Sequence, residues 1–180
     1  MKPGSEAKER TSLEEQIATS PAGRSEFRKL ENYVFGGSAA IITNVSLIVG
    51  LGSARAGKGP ILGGLLTVAL ADNISDSLGI HLYKESEGFG KRLSSLATAL
   101  NFLSRLIVSF SFIAIVLIFP TPQAIIVAIV WALLLLNLIS YVLTRTTHKN
   151  SVLEIINHVS IAVVVIVLSR WLGCVIADHF

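Results

Sequence analysis

Charge is scarce in this chain, and its placement decides the class of protein. Only 15% of the 180 residues are charged, against roughly 25% in an average soluble domain. Twelve of the twenty-seven charged side chains fall in residues 1–33, six acidic and six basic, which leaves fifteen for the other 147 residues. A water-facing surface cannot be assembled from that remainder, so a soluble globular fold is excluded. Cysteine is nearly absent as well: Cys174 alone rules out an intrachain disulfide and a cysteine metal cluster. No apolar run precedes residue 33, so no cleavable signal peptide is expected. Internal repeats and low-complexity tracts are missing, and no Ser/His/Asp or Cys/His grouping stands out, so the chain does not read as an enzyme.

What remains is apolar. Hydrophobic residues make up 52% of the chain, and the mean hydropathy is +0.66. Five runs approach the roughly 20 residues that cross the hydrocarbon core as helix: 34–54, 61–83, 93–119, 124–143 and 152–176. They lack the alternation of barrel strands, and open sheet edges are excluded in lipid. The expected fold is therefore all-α, a multi-pass membrane protein of five helices (residues 33–180) behind a polar tail (1–32). Ser12-Leu13-Glu14-Glu15 reads as a capping box in that tail, and 24–33 as an amphipathic helix at the membrane. Pro120-Thr121-Pro122 forces a tight hairpin between spans three and four.

The basic residues sit at the ends of the apolar runs rather than in a stripe. The pI of 9.2 thus reflects positive-inside sorting, and nucleic acid is not an expected partner. With the N-terminus in the cytosol, eleven Lys and Arg lie on the cytosolic side and two, Arg55 and Lys58, on the other. Tyr33, Tyr83 and Tyr141 then fall at the cytosolic interface, where amphipathic rings prefer to sit. The expected location is an integral, multi-pass one, in a cell membrane or a vacuole-like organelle membrane.

Ionisable groups within spans are costly and hence candidates for function. Span two carries Asp72, Asn73, Ser75, Asp76 and Ser77. Asp72 and Asp76 are four residues apart, on one face of a helix. Two such carboxylates repel and take up protons unless a cation binds, which suits a site exchanging metal for protons. The plainer alternative is one neutral Asp, with the other bonded to Ser or Asn on a neighbouring helix. Asn44 lies at similar depth in span one, and close packing of spans one and two would bring it towards Asp72. Glu154 and His158 share a face near the cytosolic end of span five, either as a proton relay or metal entrance or as a mutually satisfied pair. His81, Glu85 and Glu87 gather at the cytosolic end of span two. Arg105 in span three needs an anionic partner, and an aspartate of span two is the expected one.

One apparent motif is rejected. Gly52 to Lys58 matches most of a phosphate-binding P-loop, but Gly59 stands where Ser or Thr is needed, Pro60 follows and no strand precedes it.

Two segments resemble the vacuolar iron transporter family. Residues 35–51, FGGSAAIITNVSLIVGL, are similar to its first span, F-G-x-x-D-G-[LI]-V-T-x-F-A followed by apolar residues to a Gly. Residues 70–79, LADNISDSLG, resemble its second-span motif, close to L-A-D-x-[IL]-S-M-x-x-G-x-Y-L, and Lys84-Glu85-Ser86-Glu87 resembles its charged exit. Thr43 and Gly50 match the first motif, and Asp72, Ser75, Gly79 and Leu82 the second. The resemblance implies a homodimer that moves Fe²⁺ or Mn²⁺ out of the cytosol against protons, between spans one and two of both subunits. Asp72 and Ser75, which match the motif, together with Asp76, Asn44, Glu154 and His158 from the reading of polar residues within spans, are the candidate metal ligands, with the divalent cation as cargo and no cofactor.

The chain also departs from the pattern. Ala39 and Ala40 replace the family's Asp-Gly, Asp76 replaces its Met, His81 replaces an aromatic, and 84–92 is too short for the plant type's metal-binding insert. A carboxylate in place of a thioether favours harder ions such as Mn²⁺, Mg²⁺ or Ca²⁺. Loss of the first-span carboxylate also supports an alternative, a non-transporting relative that serves as a membrane scaffold or regulator.

Overall fold

The computed structural model describes residues 21–86, 88, 90–147 and 151–179. The capping-box segment in the tail and Glu87 lie outside the described residues. Within them the chain is helical and has no strand. Helix α1 spans Pro21–Ser53, α2 Lys58–Thr67, α3 Asn73–Ser86, α4 Lys91–Ile118, α5 Thr121–Thr147 and α6 Ser151–His179. A π-helical turn, Val68–Asp72, joins α2 to α3 into one rod. Five helices are therefore long and apolar enough to cross a membrane, as expected of an integral membrane protein.

The ends of these helices follow from local chemistry. Pro21 opens α1, where its missing N–H is no loss. The backbone helix then runs unbroken through 24–33 into the first span, so this stretch extends span one and is not a separate element. α1 closes in a Schellman motif: Ala56 N–H donates to Leu51 O at 3.0 Å and Arg55 N–H to Gly52 O at 3.2 Å. Arg55 takes the left-handed position, with φ of 60°. The stretch that mimics a P-loop is thus a helix cap. Its Pro60 sits in the first turn of α2, where the orphan N–H groups tolerate it. Lys58 Nζ donates to Leu117 O at 3.2 Å and neutralises the carbonyl end of α4. Phe119, before Pro120, is extended (φ −98°, ψ 149°), which makes the hairpin into α5 short, as expected.

α1 is the central helix, packed against α4, α5 and α6, while the α2–α3 rod lies mainly along α4. Ile41, Val45, Ile48 and Val49 of α1 meet Phe112 and Val116 of α4 and a column of small residues, Ala124, Ala128 and Ala132, on α5. Small residues at four-residue spacing let helices approach closely. The α1–α6 contact depends on Gly173, where a Cβ would strike Gly50 O and lie 2.8 Å from Ser53 Cβ. Trp131 at the middle of α5 donates from Nε1 to Ser111 Oγ of α4 at 3.0 Å.

The π-turn governs the direction of the polar residues. Ile61, Leu65, Ala69, Asn73 and Ser77 are all buried, each four residues after the last. In a plain α-helix each step of four overshoots a full turn by roughly 40°, so over four steps the seam would swing by roughly 160°. The wider turn, in which Asn73 N–H bonds to Val68 O, takes part of that swing back. The face that is apolar in α2 therefore still meets α4 when it becomes polar in α3.

Candidate functional site

Three polar residues sit at the middle of their spans. Asp72 is the central residue of the apolar rod Lys58–Ser86, and Asn44 and Arg105 lie beside the midpoints of Gly36–Ser53 and Ser94–Ile118. Arg105 is 1% exposed and is the hub. Its Nη2 is ion-paired to Asp72 Oδ2 and its Nη1 to Asp76 Oδ2. Its Nε donates to Asn73 Oδ1 at 2.9 Å. The expected anionic partner of Arg105 is thus both aspartates of span two, and the cation that relieves their repulsion is supplied by the chain itself.

The geometry follows from spacing. Where the π-turn passes into α3, the four-residue interval brings Asp72 and Asp76 to the same side, with Asn73 directed inward. On α4, Ser94, Asn101, Arg105 and Ser109 are all buried and form one polar stripe at helical intervals. Asn101 Nδ2 donates to Ser77 Oγ at 3.3 Å, one turn towards the expected cytosolic end. One turn further that way, His81 Nδ1 lies 3.2 Å from Thr98 Oγ1, and His81 Nε2 is 3.6 Å from Glu85. On the other side of Arg105, Asn44 Nδ2 donates to Ser109 Oγ at 3.0 Å and to Ala40 O at 2.7 Å. A polar column therefore runs along α3 and α4 from His81 to Asn44. Beyond Asn44 the seam is closed by Ile48, Ile61, Leu65, Phe112 and Val116.

Burial is uneven across the cluster. Arg105 is enclosed, but the side chains of Asp72 and Asp76 are 39% and 40% exposed. They border the face of the rod that carries Leu66, Leu70, Ile74 and Leu78, all largely exposed. Three buried amide atoms, Asn44 Oδ1, Asn73 Nδ2 and Asn101 Oδ1, have no hydrogen-bond partner. Asn101 Oδ1 instead crowds Gly36, where a Cβ would collide with it, so Gly36 is required by the close approach of α1 to α4.

The six residues anticipated as ligands are dispersed. Asp72 and Asp76 come together. Ser75 is one of the exposed residues on the outward face of α3. Asn44 reaches span three and not span two: it bonds Ser109 of α4, one turn from Arg105. His158 Nδ1 lies 2.9 Å from Ser140 Oγ on α5, within the α5–α6 seam. The side chain of Glu154 lies outside the described residues, and with it the Glu154–His158 pairing. Among the described residues no group of three or more His, Cys, Asp or Glu is positioned to hold a metal. Sequence reasoning missed Asn101 and Ser109, although their spacing with Arg105 in an apolar run was a readable signal.

No protein-family model, curated protein or solved structure matches this chain. The likeness to vacuolar iron transporters therefore rests on the motif residues of spans one and two.

Proposed function

We propose that the protein is a membrane transporter that moves a divalent cation, Mn²⁺ or Fe²⁺, out of the cytosol in exchange for protons. In this reading the N-terminus is cytosolic and the C-terminus is on the opposite side. Two copies associate along the outer face of span two, with the path at their interface; span one, which the resemblance would add to it, is packed against α4, α5 and α6. The observation that carries it is the pair Asp72 and Asp76, at the centre of a span yet nearly two-fifths exposed among the described residues. Carboxylates left towards lipid are expensive. A cation and a second copy relieve that cost.

The test is Mn²⁺ and Fe²⁺ uptake into proteoliposomes under a pH gradient. Asp76→Asn is the informative variant, because Asp72 remains to hold Arg105. Expected is a loss of uptake by about tenfold or more, since removing even an outer-shell partner of a metal site costs about that much in affinity or activity. Unchanged uptake of both metals would sink the reading.

A second reading, a scaffold or regulator that does not transport, is favoured by one specific observation: Arg105 already satisfies both carboxylates. It requires that wild-type protein, folded and reconstituted, moves neither metal.

A further inference from the structure

We infer that the outward face of α5 is a second interface between copies of the chain, at which Asn137 pairs with Asn137 of an identical neighbour. The inference does not depend on the transport reading. It concerns a face separate from that of span two, because α5 meets α1, α4 and α6 while the rod lies mainly along α4.

Asn137 is a polar residue on an apolar face. Among the described residues it is exposed, alongside Val130, Leu134 and Leu138. It lies roughly 8 Å from the midpoint of the apolar stretch Thr121–Val142, inside a hydrocarbon half-layer of about 15 Å. Lipid tails offer an amide no hydrogen bond. Its Nδ2 donates one proton to Leu133 O at 2.8 Å, one turn back on its own helix. That bond is its whole hydrogen bonding among the described residues, so Oδ1 and the second N–H remain for a partner. An amide carries both donor and acceptor and is therefore its own complement. A second copy inserted the same way up presents the same residue at the same depth. Across a two-fold axis along the membrane normal, Nδ2 of each Asn137 donates to Oδ1 of the other.

The surroundings of Asn137 suit a helix. Val127, Val130, Leu134, Asn137 and Tyr141 follow at alternating steps of three and four residues. That is the repeat that keeps two parallel helices in contact at a shallow left-handed crossing. Beside the half of this seam nearer Pro120 runs a furrow of about 470 Å³ between α4 and α5. Ala114 and Ile115 wall it on one side, and Ile126, Val127, Val130 and Leu134 on the other. Its polar groups are already joined, since Trp131 Nε1 donates to Ser111 Oγ and Ser111 Oγ to Val108 O. The furrow thus receives the apolar side chains of a neighbouring α5, and Asn137 sets the register. Where the span-two contact also forms, two parallel two-fold axes join copies into rows instead of closing a ring.

The experiment is cysteine cross-linking of the full chain in the membranes of the producing cells, in a Cys174→Ser background with a mild oxidant. Leu134→Cys is expected to form a covalent dimer well above the level given by Val164→Cys, a comparably exposed position on α6. Adding Asn137→Leu is expected to cut the Leu134→Cys cross-link by about threefold or more, the worth of one polar bond between helices in a membrane. Asn137→Gln, which keeps the amide, is expected to retain most of it. Cross-linking of Leu134→Cys no stronger than that of Val164→Cys overturns the inference, and so does a cross-link that Asn137→Leu leaves unchanged. A Leu134→Cys adduct with a different protein, in place of the covalent dimer, overturns it as well. Thermal midpoints report whether each variant folds; should Asn137→Leu not fold, the comparison of Leu134→Cys with Val164→Cys decides alone.

Discussion

Arg105 changes how any mutation at the carboxylates must be interpreted. Replacing both Asp72 and Asp76 by Asn strands a buried guanidinium, and breaking a buried pair in this way costs about 3–5 kcal/mol. A double variant that fails to transport thus says little about ligation, since it is expected to unfold at lower temperature. Adding Arg105→Met to the same double variant is expected to restore thermal stability to within about 1–2 kcal/mol of wild type, because a well-packed apolar substitute for an ion pair is often neutral. Thermal unfolding of the three proteins in detergent measures this, and no recovery in the triple variant would contradict it. A second residue-scale prediction concerns Arg55, the one non-glycine residue with positive φ among the described residues. Arg55→Gly is expected to stabilise by about 1 kcal/mol, since only glycine adopts the left-handed position freely. A lowered midpoint would show that the side chain contributes more than its backbone strain costs.

Among the elements, the sequence was most readable where one physical signal sufficed. Apolar length located all five spans and proline located the α4–α5 hairpin, because each is set by local composition. The helices overrun the apolar runs: α1 begins at Pro21 and α5 extends to Thr147. Hydrophobic length measures the membrane, whereas the hydrogen-bond ladder continues into water. That Arg105 needed an anion was legible from its isolation in an apolar run. That it takes two was not, because the pairing depends on the π-turn and on which helix α3 lies against. Asn44 was misdirected for the same reason, since periodicity gives a face and not its partner. The close contacts are testable too. Gly173→Val should destabilise by about 1–3 kcal/mol, as overpacking against the Gly50 carbonyl forces α6 off α1. A thermal midpoint equal to wild type would show that the α1–α6 crossing has slack.

At the scale of the whole molecule, the proposed topology puts the two ends of the five-helix bundle on opposite sides of the membrane. In a Cys174→Ser background, His179→Cys should react with an impermeant thiol reagent added outside, and Ser86→Cys only with reagent admitted to the cytosolic side. Labelling of both from one side would invalidate the proposed orientation. The bundle is also lopsided. α1 is wrapped by three helices, whereas the rod of span two is supported chiefly by α4 and presents Leu70, Ile74 and Leu78 outward. In the proposed dimer a second copy covers that face, and the candidate residues Asp72 and Asp76 lie on the least supported element.

The π-turn at Val68–Asp72 also divides that element in time. A stretch with i→i+5 bonding between two regular helices is where the ladder opens most cheaply. Backbone amides of Leu70, Ala71 and Asp72 should exchange with deuterium sooner than those of Leu65 or Ser77. The two halves of the span then open separately, each on its own clock. Asp72 belongs to the faster boundary, while Asp76 remains with the slower half.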